Sequence, residues 1–82
     1  MTISSDHVLQ LLEAGPEAVL VLIEGRAEVI GTDELATEEY LGALEVISRE
    51  ALLDRTGGTD LTLHELEEQA STLDAMVSEL GG

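Results

Sequence analysis

The sequence predicts a small all-α domain, a bundle of three to four helices; the alternative is an α+β arrangement with a short hairpin at about residues 18–30. Three observations carry this. Leu63, Leu66, Ala70, Leu73, Val77 and Leu80 recur at alternating spacings of three and four, which places them on one helix face with a heptad-like seam. Val8, Leu9, Leu11 and Leu12 follow two serines at helical spacing. Breakers at Gly15-Pro16, Gly31-Thr32 and Gly57-Gly58 divide the rest into segments of helix length.

Ser4 or Ser5 caps the first helix, Asp6 complements the positive end of its dipole, and Gly15-Pro16 ends it near Ala14. Pro16 also suits the first position of a new helix, which makes Glu17 to Glu24 a second helix with Ala18 to Ile23 as its buried body. The alternative for this stretch is a strand. Val19, Val21 and Ile23 are β-branched, Glu24-Gly25 could turn the chain, and Ala27 to Ile30 could return beside it. Ala27 to Ile30 is expected to be extended in either case.

Thr32 or Thr37 then caps a long helix reaching about Arg55, with Tyr40, Leu44, Ile47 and Ala51 on one stripe and Gly57-Gly58 as its stop. The final helix opens on the capping box Thr62-x-x-Glu65, and Gly81-Gly82 closes it. The seam either packs on the chain's own third helix or forms half of an intermolecular coiled coil. Its flanking Glu67, Gln69, Asp74 and Met76 encode no interhelical salt bridge.

Composition excludes several functions. The 82 residues carry 18 acidic side chains against 3 arginines and no lysine, a formal net charge of -15. No basic patch is available to neutralise phosphates, so direct nucleic-acid binding is not expected. Without cysteine there is no disulfide, thiolate nucleophile or zinc-thiolate site. The first residues lack the charged and apolar regions of a signal peptide, and the apolar run from Ala18 to Ile23 is too short to span a bilayer, so a cytoplasmic protein without a membrane partner is expected. One tyrosine and no Phe or Trp imply a thin aliphatic core, marginal in a chain this short without a partner. The acidity suits either a high-salt surrounding or a basic partner.

Residues 54–65 place Asp54 first, Asp60 seventh, Leu61 eighth and Glu65 twelfth, followed by Leu66. This stretch resembles the calcium loop of the EF-hand family, and residues 23–34 echo it with Ile30 eighth and Leu35 following. Thr56 and Gly58 stand where that loop has ligating carboxylates, and Thr59 where it has its glycine. The resemblance implies a helix-loop-helix with Asp54, Asp60 and Glu65 as weak candidate metal ligands; a glycine-rich helix connector is the preferred reading of the stretch. No cofactor is expected. His64 with Glu67 and Glu68 reads as a solvated helix face, and no serine sits in a strained turn that would mark a nucleophile.

The function expected from sequence is therefore non-enzymatic protein binding, with a homodimer through Leu63, Leu66, Ala70, Leu73, Val77 and Leu80 over Leu44 and Ile47 as the assembly. A cation-responsive helix-loop-helix and an acidic decoy or antitoxin-like inhibitor of a basic partner are the alternatives.

Overall fold

A computed structural model describes residues 2–80, with the Leu80 side chain outside the description. The chain runs α1 (Ser5–Glu13), β1 (Ala18–Ile23), β2 (Arg26–Gly31), two single-turn 3-10 helices (Glu34–Ala36 and Glu38–Tyr40), β3 (Leu44–Ser48), α2 (Arg49–Thr56) and α3 (Leu63–Leu80). The strands form one antiparallel sheet in the order β2-β1-β3. This α+β architecture corrects the expected all-α bundle; the hairpin of the alternative is present, and a third strand, Leu44–Ser48, which neither reading contains, joins it.

The expected helix over Glu17 to Glu24 is the central strand β1. Its apolar run shows no alternation because both of its faces are covered. Ala18 and Leu20 join Ile3, Val8, Leu11, Leu12, Ile47, Leu52, Leu66, Ala70 and Leu73 in the core on the helical side. Val19 and Val21 point the other way, onto Ile30 and Tyr40, with Leu35 and Ala43 packed around them. The 3-10 segment thus crosses behind the sheet, carrying the chain from the β2 edge to the β3 edge.

The β1-β2 turn is Glu24-Gly25, where both residues have positive φ, at 52° and 80°. Such a two-residue turn matches the right-handed twist of the flanking strands. Glycine enters it freely; Glu24 does so against the steric preference of its Cβ. Arg26 braces the corner by donating from Nη1 to the Glu24 carboxylate at 3.3 Å.

The expected long helix to Arg55 is likewise replaced, by the 3-10 turns, β3 and α2. The stripe of Tyr40, Leu44, Ile47 and Ala51 matched helical spacing by coincidence: Tyr40 and Ile47 lie in cores on opposite sides of the sheet. Gly42 interrupts the segment, and Val46-Ile47 favours a strand. In β3, Ile47 pairs with Leu20 and Glu45 with Val21, so Val46 is the extra residue of a β-bulge.

The helix ends follow their sequence signals. Ser4 N-caps α1, its N–H donating to His7 Nδ1 at 3.0 Å, and Ser48 Oγ accepts from Ala51 N at 3.1 Å to cap α2. Gly57, at φ 81°, stops α2 with its N–H on Leu53 O. At α3, Thr62 N donates to Glu65 Oε1 and Glu65 N to Thr62 Oγ1, a reciprocal capping box. The expected closing role of Gly81-Gly82 falls outside the described residues.

In the helical layer, α1 is the hub. It touches the sheet, α2 and α3, and Arg49 Nε donates to Leu12 O at 3.0 Å to hold α2 against its end. The partner of α3 is therefore α1, not a third helix upstream. Asp74 Oδ1 accepts from Thr2 N and Ile3 N at 3.0 and 3.1 Å, which pins the buried Ile3 beneath α3.

Candidate interaction surface

The seam expected to form an interface is divided by the fold. Leu66, Ala70 and Leu73 are buried in the chain's own core, with Leu73 at 0 % exposure, and Val77 packs half-buried against them. Leu63 points outward at 66 % exposure, while the Leu80 side chain lies outside the described residues. Ile47 lies in the same core as Leu66 and Leu73, whereas Leu44 is 41 % exposed at the open end of β3.

The three candidate metal ligands occupy different settings. Asp54 belongs to α2, Asp60 to the connector and Glu65 to the first turn of α3. The Glu65 carboxylate caps Thr62, and that hydrogen bonding holds its pKa below the usual carboxylate range. The Thr56 hydroxyl lies 3.1 Å from Leu52 O and 2.8 Å from Gly58 O, closing the connector on itself. Among the described residues, no group of three or more His, Cys, Asp or Glu side chains is gathered as a metal site. The helix-loop-helix outline implied by the EF-hand resemblance is present, but its carboxylates do not converge.

The histidines are engaged locally. His7 Nδ1 lies 3.2 Å from Ser4 Oγ, yet it also accepts the Ser4 backbone N–H, which is capping geometry. His64 Nε2 meets Glu68 Oε1 at 2.7 Å one turn along exposed α3. An open groove of about 460 Å³ runs between the α1-β1 turn and the end of β2, with an apolar floor including Ala14, Val29 and Ile30. Glu17, Asp33 and Glu34 stand along it, and Glu34 Oε1 accepts the Gly31 N–H at 3.2 Å.

Electrostatics set the character of the remaining surface. Arg26 bonds Glu28 at 2.8 Å as well as Glu24, Arg49 serves Leu12 O, and Arg55 Nη1 lies 3.7 Å from Met76 Sδ. Tyr40 donates its hydroxyl to Glu28 Oε1 at 3.0 Å. The Arg26 and Tyr40 hydrogen bonds hold the Glu28 carboxyl below its ordinary pKa, and the same Glu28 raises both the Tyr40 phenol and the Arg26 guanidinium. The other carboxylates form no ion pair with arginine among the described residues.

Sequence reading missed the free edge of β3. Leu41, at 73 % exposure, lies just before it and Leu44 opens it, whereas the sequence places Leu44 on a buried helical stripe. Gly42 between them was the available signal, because glycine in a helix interior is unfavourable.

No protein-family model matches this chain, no curated protein matches it, and no solved structure does so either. Among the described residues no helix is long and apolar enough to cross a membrane.

Proposed function

We propose that this chain is a non-enzymatic acidic module that binds a basic protein surface. One observation carries the reading: each of the three arginines is engaged within the chain, while among the described residues only Glu24 and Glu28 of the 18 acidic side chains pair with one. The remaining carboxylates form a negative field that would steer a cationic partner and set its orientation. Self-association through α3, the other reading, has the exposed Leu63 and Met76 in its favour. It must bring together two copies of charge -15 after Leu66, Ala70 and Leu73 have already been buried at home.

The test is affinity capture from the native host, followed by measurement of the purified pair's affinity across a salt series. A basic partner whose binding weakens steeply with salt supports the proposal. A tight partner without excess positive charge overturns it, as does a chain that recovers only itself and doubles its light-scattering mass at micromolar concentration.

A further inference from the structure

Among the described residues both outer strands of the sheet, β2 and β3, have one side with no strand partner, and they differ in what lies along that side. At β2 the Gly31 N–H is taken up by Glu34 Oε1, the first 3-10 turn lies against the strand, and Arg26 places a cation at its start. β3 meets β1 on one side and is followed directly by α2; among the described residues no strand pairs with its other edge. That edge presents main-chain N–H and C=O groups that a further strand can take up. Leu44 and Glu45 lie exposed within it, Leu41 stands exposed three residues ahead of it, and exposed Glu38, Glu39 and Glu50 come just before and after it in the chain.

We propose that the β3 edge, residues 44–48, receives an extended segment of a partner protein by antiparallel or parallel strand addition, and that this segment is basic. The proposal rests on the basic-partner reading above and locates where that partner docks. Charge identifies the occupant: β3 and the segment before it, residues 38–48, contain three carboxylates, Glu38, Glu39 and Glu45, and no cation, while Arg49, the next residue, is turned onto Leu12 O. An alternating segment with Lys or Arg on one side and apolar residues on the other meets Glu45 and Leu44, which lie on opposite faces of the sheet, opposite Val21 and Leu22 respectively. A second copy of this chain fits poorly. It would lay one bulged strand against another and add a further -15 of charge.

The experiment uses the intact chain and three synthetic peptides: alternating Val-Arg, alternating Val-Glu, and the Val-Arg peptide with alternate backbone nitrogens methylated. Amide exchange and NMR shifts locate binding, and calorimetry measures it. Val-Arg is expected to bind and to slow exchange of amides within residues 44–48, and Val-Glu to show no binding. Methylation, which keeps the charge but removes strand-forming donors, should weaken binding about tenfold or more. Glu45→Arg, a change at an exposed side chain, should weaken Val-Arg binding with the circular dichroism spectrum retained.

Equal binding of the methylated peptide overturns strand addition and leaves the basic-partner reading standing. Failure of both Arg peptides to bind overturns both. Exchange protection on β2 instead of β3 places the segment on the wrong edge, and a peptide-independent dimer that protects residues 44–48 replaces the proposed occupant with a second copy.

Discussion

Leu73 and Leu63 lie on the same apolar stripe of α3, and truncating each to alanine separates a leucine that builds the monomer from one that faces outward. Leu73 is fully enclosed among the residues of the helical-side core, and its neighbour Asp74 anchors the strand of chain that carries Ile3. The site has little freedom to collapse around a missing side chain, so Leu73→Ala is expected in the upper part of the range of about 2–5 kcal/mol seen for such truncations. A domain of 82 residues has roughly 4–12 kcal/mol in all, at about 0.05–0.15 kcal/mol per residue. The variant is therefore expected to lose a third or more of its stability and at least about 10 °C in Tm. Leu63→Ala, at an exposed site, is expected within about 0.5 kcal/mol of the parent. Urea unfolding followed by circular dichroism measures both, and sedimentation at several concentrations reports mass. A Leu73→Ala chain as stable as the parent, or a Leu63→Ala chain that unfolds with it, would refute the assignment of Leu73 to the monomer core.

Asp74→Ala removes the acceptor for Thr2 N and Ile3 N, and should cost about 1–2 kcal/mol in chemical denaturation while leaving the sheet amides unshifted. Glu24→Asn relieves a positive φ at the hairpin turn and should raise stability by up to about 1 kcal/mol, although it removes one contact from Arg26. The Glu28 carboxyl is held low in the folded chain, so its contribution is present above the ordinary carboxylate pKa of about 4.3 and is lost as pH falls through its lowered folded value. The Tyr40 phenol is held high, so its contribution is present below about pH 10 and is lost as pH rises through its raised folded value. In Glu28→Gln the Tyr40 absorbance titration should move down toward the ordinary phenol value, and an unmoved curve would refute the coupling. Screening should weaken the mutual repulsion of a chain with net charge -15, so Tm is expected to rise from low to molar salt; a salt-independent Tm would refute that expectation.

The start and end of α1, the end of α2 and the start of α3 were legible because capping is local chemistry, with Ser4, Gly57 and the Thr62-Glu65 pair each acting within a few residues; the start of α2 at Ser48 was not, because the expected caps Thr32 and Thr37 belong to the loop and 3-10 turns before β3. The exchange of helix for strand over residues 17–48 has a non-local cause. Val19 is buried on one face because Tyr40 folds beneath the sheet, and Leu20 on the other because α1 lies above it, so the run loses the alternation by which a strand is read. The stripe on α3 was legible as a stripe, but its owner was not. Period alone says that Leu66 and Leu73 seek cover, and only the arrival of α1 and Ile3 determines that the cover comes from the same chain.

The Asp74 clamp also bears on the order in which the protein can assemble. Thr2 and Ile3 are held by a residue 72 and 71 positions further on. As the chain leaves the ribosome, the β1-β2 hairpin can pair early, because its turn is local, but Ile3 has no lasting seat until residues 63–80 have emerged and α3 has settled on α1. Until α3 is in place, Val8, Leu11 and Leu20 lack part of the cover they have in the folded chain. Closing the helical-side core around Ile3 therefore requires both ends of the described chain at once.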